Sequence, residues 1–154
     1  MVLAAQEAAI RHVRPGVTFE SIHGVALQRL VEGLVELGLC SGTAEEVISS
    51  GDYRRFFMHQ TSHWLGLDVH DCGAYRKEGG SRPLEPGMVT TVEPGLYIAP
   101  DDDTVDERWR GIGVRIEDDV LVTEDGHENL TARIPKTVEE VEAACREAEL
   151  EPAR

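Results

Sequence analysis

Gly87–Ile98 reads GMVTTVEPGLYI, and this stretch decides the fold. Val89, Thr90, Thr91 and Val92 are four β-branched residues in a row, which favours an extended chain over a helix. Pro94 confines Glu93 to extended backbone and removes one amide from any ladder, so regular strand pairing ends there. Glu93 is therefore a carboxylate fixed at a strand end, although an exposed glutamate before a turn would read the same way. A second β-branched stretch, GIGVRIEDDVLVT (Gly111–Thr123), lies downstream. Glu124-Asp125-Gly126 makes a turn after it, and HENLT can return as a hairpin arm.

Before Gly51 the period is 3.6 rather than 2. Val2, Ala5, Ala9, Ile10 and Val13 place one apolar stripe on a helix over residues 2 to 14, which Pro15-Gly16 stops. Thr18 is an N-cap candidate for a second helix, with Ile22, Val25, Leu27, Leu30, Leu34 and Leu37 as its stripe and Gly38 at its end. Thr43 and Glu46 form a capping box for a short helix to Ser50, and Thr137 with Glu140 repeats the device for a last helix. Helices and strands are grouped rather than alternating, so the reading is α+β with a mainly antiparallel sheet.

A chain of 154 residues makes one domain. No apolar run approaches ~18 residues, so no membrane span is expected. MVLAAQEAAIRHVR lacks the basic start and apolar block of a secretory signal, leaving the cytoplasm as the expected compartment. Cys40, Cys72 and Cys145 are odd in number and have no C-x-x-C pair, which predicts reduced, half-buried thiols. Fifteen basic against twenty-nine acidic residues give a net charge of -14, a balance that repels nucleic acid. The acidic end, TVEEVEAACREAELEPAR, reads as solvated surface.

The chemistry concentrates in Phe56–Asp71, FFMHQTSHWLGLDVHD, where His59, His63 and His70 interrupt an apolar run. Buried imidazoles need partners. One histidine bonded to a carbonyl in the core is unremarkable; three in twelve positions ask for another account. Trp64–Asp71 alternates like a strand, yet strict alternation puts His63 and His70 on opposite faces, so a shared site requires a turn or bulge at Gly66. In GVRIEDDV, Val114, Ile116 and Val120 point one way and Arg115, Glu117 and Asp119 the other. His63, Glu93 and Glu117 together offer one imidazole and two carboxylates, a set suited to Mn²⁺, Co²⁺, Fe²⁺ or Zn²⁺. Carboxylates can also bridge two such ions.

Three segments then resemble a known family: FFMHQTSHWLGLDVHDCGAY, LEPGMVTTVEPGLYI and GVRIEDDVLVTEDGHENLT. They are similar to the Xaa-Pro aminopeptidases (aminopeptidase P) of the pita-bread metallopeptidase superfamily, from VLAAQEAAI through IPKTVEEVEA. HWLGLDVHD separates that aminopeptidase P and prolidase-like branch from methionine aminopeptidases. The resemblance implies the C-terminal portion of a pita-bread fold, with residues 1–154 a single partial catalytic domain. It implies removal of an N-terminal residue that precedes proline, by a hydroxide activated between two divalent ions, manganese first among them. His63 and Glu93 would be terminal ligands and Glu117 the bridging one. His59 and His70 would serve the substrate or the leaving amine, and Arg115 would stand beside the bridging glutamate.

The match also departs from the family. Two aspartate ligands and one histidine belong to a first half of the domain, and Asp52, the one aspartate upstream of His59, sits on a predicted loop in the wrong context for either. Met1 falls inside what would be a helix in longer members. The expectation is at most one weakly held metal and little or no hydrolysis by this chain alone, relieved by homo-oligomerisation or by a separate first half. Two other readings stand beside it: a prolidase cleaving Xaa-Pro dipeptides, and a non-catalytic truncated module.

Overall fold

The structure, a computed structural model, describes residues 1–150; the end of the acidic tail, residues 151–154, lies outside it. Helices α1 (Val2–His12), α2 (Phe19–Glu36) and α3 (Ala44–Ser50) come first, followed by a 3₁₀ turn at Asp52–Arg55. Strands β1 (Arg76–Lys77), β2 (Gly80–Ser81), β3 (Val89–Val92), β4 (Gly95–Tyr97), β5 (Gly113–Arg115), β6 (Asp118–Val122) and β7 (His127–Asn129) follow, and α4 (Val138–Leu150) ends the chain. Every strand pair is antiparallel, as the grouping of elements predicts.

The helices form where capping and periodicity place them. The Thr18 hydroxyl accepts the Ser21 amide at the head of α2, and Thr43 and Glu46 close a capping box on α3. Val2, Ala5, Ala9, Ile10 and Val13 are all buried along α1. Leu37, which the stripe included, is 41% exposed at the C-cap of α2. No helix among the described residues is long and apolar enough to cross a membrane.

Each long β-branched stretch is broken into two strands. Glu93-Pro94 separates β3 from β4, and Ile116-Glu117 separates β5 from β6. The register is nevertheless continuous: Val92 faces Asp118 on one side of the gap and Gly95 faces Arg115 on the other. Carried across, it sets Glu93 opposite Glu117. On one face Val92, Val120 and Val122 join Ile10, Val13, Ile22 and Ala26 of the helices in a buried cluster. A second cluster joins Leu30, Val31 and Leu34 to Phe56, Phe57, Leu96 and Ile98. Alternation leaves Thr91, Glu93, Glu117 and Asp119 on the face away from the helices.

The strand expected over Trp64–Asp71 does not form. Thr61–Leu65 runs beside β3, with backbone bonds from Glu93 to Thr61, Thr91 to His63 and Leu65 to Val89, and a single bridge at Trp64–Thr90. Past Leu65 the chain folds back, Gly66 N–H donating to Asp68 C=O and Asp71 N–H to Trp64 C=O. A Cβ on Gly66 would meet the Asp71 carboxylate, which would have to swing aside. Arg76–Ser81 makes a small hairpin that the sequence reading did not anticipate. Cys40 is buried, while Cys72 and Cys145 are exposed rather than half-buried; all three are free thiols.

Candidate metal centre

The odd-numbered face of the sheet assembles the site. Antiparallel neighbours share a face, so His63 beside Thr91, Glu93 in the break of β3, and Glu117 across from it all project together. Their ligand atoms lie within 4.8 Å of one another. His63 Nε2 is 3.0 Å from Glu93 Oε1. The other ring nitrogen, Nδ1, lies 2.9 Å from the Trp64 carbonyl, a bond that fixes the ring and turns Nε2 to the carboxylates. Thr91 couples the two ligands: its hydroxyl donates to Glu93 Oε1 at 3.1 Å and accepts the His63 amide at 3.1 Å.

Two carboxylates opposed across a ladder repel. Partial burial pushes the Glu117 carboxyl above its ordinary range, and the negative charges of Glu93 and Asp119 push it further. Such a donor set, one oriented imidazole and two crowded carboxylates, fits a divalent cation, which would relieve the repulsion and take all three ligands. Arg115 is the cation already present, its Nε 3.7 Å from Glu93 Oε2.

The remaining predicted residues ring this cluster. His70 is exposed, yet the fold-back brings its ring edge-on to His63 with centroids 4.5 Å apart, so the turn at Gly66 does unite two residues that alternation would separate. His59 is not in contact with the ligands; its Nε2 lies 3.0 Å from the Tyr97 hydroxyl, which accepts from Arg115 Nε at 2.7 Å. Asp52 starts the 3₁₀ turn and takes no part in the cluster.

Three participants escaped the sequence reading. Thr91 and Tyr97 share the parity of Glu93, and alternation along GMVTTVEPGLYI could have found both. His23 on α2 gave no local sign. Its Nδ1 lies 2.9 Å from Thr61 Oγ1, and it lines with Phe19, Ser62, His63 and Tyr75 a cleft of ≈ 630 Å³. Burial, then the neighbouring His59, lowers its pKa. A smaller groove of ≈ 280 Å³, lined by Leu65, Val69, Thr91, Glu117 and Asp119, opens on the carboxylate side.

The chain belongs to metallopeptidase family M24, whose profile matches residues 1–124. It is 54% identical over 143 residues to the Xaa-Pro aminopeptidase of Escherichia coli K12, covering 93% of this chain and 32% of that protein. With Xaa-Pro aminopeptidase 2 of Streptomyces coelicolor it shares 55% over 143 residues, covering 92% of this chain and 30% of the relative. Among solved structures, the Pseudomonas aeruginosa aminopeptidase PepP superposes with a TM-score of 0.93 at 52% identity, covering 97% of this chain and 34% of that one. Escherichia coli aminopeptidase P with the inhibitor Pro-Leu gives 0.90 at 52%, with the same coverage. The α+β reading and the family resemblance hold. The chain spans about a third of the length of these relatives.

Proposed function

We propose that this chain carries the C-terminal share of an Xaa-Pro aminopeptidase site, in a partial pita-bread catalytic domain over residues 1–154. The observation that carries the reading is the convergence of His63, Glu93 and Glu117 within 4.8 Å. These residues would hold divalent metal, manganese by family resemblance, with Glu117 shared between two ions in a complete site. The ions, when bound, supply Lewis acidity and an activated water.

The protein's own groups do the rest. Trp64 C=O and Thr91 keep the His63 and Glu93 donors aimed. His70, exposed against the His63 ring, would hand a proton to the departing amine, and His59 and Arg115, both bonded to the Tyr97 hydroxyl, would serve the substrate side. Two further aspartate ligands would come from a first half of the domain, outside these residues. Alone, the chain holds at most one ion weakly and hydrolyses little; a first half, or self-association, completes it.

The test is release of the first residue from an Xaa-Pro-Yaa tripeptide, with and without Mn²⁺, by this chain alone and by a polypeptide that also supplies the first half. Manganese-dependent release by the longer form alone supports the proposal. Release by the short chain overturns its incompleteness, and cleavage of Xaa-Pro dipeptides but not tripeptides makes the enzyme a prolidase. A longer form that is inert although it binds metal favours a non-catalytic module.

A further inference from the structure

Glu117 stands in the break between β5 and β6, outside the paired residues of either strand. Across the ladder gap the backbone contact is a long one, from Ile116 N–H to Pro94 C=O at 3.4 Å, and the residue opposite is Glu93, a like charge. Left to itself, this segment would splay.

The next residue points the other way. Asp118 passes to the helix side and is 2% exposed. Its Oδ2 accepts from Gln6 Nε2 of α1 at 2.6 Å. Its Oδ1 takes the Lys136 ammonium at 3.0 Å and the Thr131 hydroxyl. Lys136 Nζ also donates to the carbonyls of Ile134 at 2.8 Å and Thr131 at 3.2 Å. The Thr131 hydroxyl in turn accepts the Asp119 amide at 3.0 Å, and Leu130 N–H binds the Asp119 carbonyl at 2.8 Å. Lys136 is itself anchored, because Glu140 accepts the amides of Lys136 and Thr137 at 3.1 Å at the head of α4.

A buried ion pair is a poor device for stability, since apolar residues of equal volume do as well or better. What it can do is fix one backbone conformation when every member is satisfied. We propose that Asp118, Thr131 and Lys136 form a latch behind the sheet that positions Glu117 as a metal ligand against the repulsion of Glu93. They touch neither ion nor substrate. The proposal rests on the metal reading above and adds to it the residues that preorganise the weakest-held ligand.

The test measures Mn²⁺ affinity of the full chain, by the paramagnetic resonance signal of free Mn²⁺, alongside the unfolding midpoint in chelator. Lys136→Met is expected to weaken Mn²⁺ binding about tenfold or more, with Lys136→Arg restoring it to within about threefold. Val47→Ala, in the other core cluster, lowers the midpoint and leaves affinity unchanged. Thr131→Val, which removes the hydroxyl's bonds to Asp118, Asn129 and the Asp119 amide but keeps the ion pair, provides the same reading if Lys136→Met does not fold. Variants that bind within about twofold of the parent, whatever their stability, overturn the latch. A parent chain that takes up no Mn²⁺ overturns the latch, since its three ligands are then not preorganised, and a form with the first half that also takes up none overturns the metal reading itself.

Discussion

Glu93 is constrained from several directions. Pro94 extends it, Thr91 and Arg115 hold its two oxygens, and His63 faces it. Thr91→Val deletes the hydroxyl that ties Glu93 to His63 at nearly constant volume. It is expected to weaken Mn²⁺ binding about tenfold, measured by calorimetric titration, while the fold persists. Glu117→Gln separates two effects. Binding should be lost because a ligand is neutralised, whereas the metal-free chain should gain a few tenths of a kcal/mol from relief of the opposed charges, a small effect because water screens them. Urea unfolding in chelator checks the sign; a destabilised metal-free variant would mean that the two carboxylates do not repel.

At the scale of elements, the caps and apolar stripes were legible because they are local: Thr18, Thr43 and the buried side of α1 follow from spacing alone. The opposition of Glu93 and Glu117 was not. It depends on the register of a hairpin whose arms are joined by the long connection over residues 98–112, and no pattern within either stretch sets that register. The same limit hid His23, which reaches the site only through the packing of α2 on Thr61. His70 was half legible, since parity demanded a turn and Gly66 offered one. Gly66→Ala should therefore leave stability nearly unchanged, the loop being exposed, while its new methyl drives Asp71 aside and lifts His70 from His63. Loss of the His63–His70 cross-peaks in a nuclear Overhauser spectrum checks this. For His23 the sign is set by burial. Its folded pKa lies below the ordinary histidine value, so its contribution is full above that value and is lost as pH falls toward the folded pKa. The unfolding midpoint should fall as pH drops below the ordinary histidine value of 6.5, and His23→Gln should flatten that slope.

For the whole molecule, the question is what this portion can do alone. Leu67 and Val69 stand fully and two-thirds exposed at the fold-back loop, and Met58 is 60% exposed near His59, so apolar surface lies open around the cluster. Covering it is the expected role of a first half of the domain or of a second copy, and sedimentation at rising concentration should show self-association. The central claim is that three side chains from three segments share one cation. Crystals of the chain soaked in Mn²⁺ and measured at the manganese absorption edge test it most directly. The expected result is an anomalous peak within bonding distance of His63 Nε2 and both glutamate carboxylates; a map with Mn²⁺ bound elsewhere and those three side chains unligated would contradict the account.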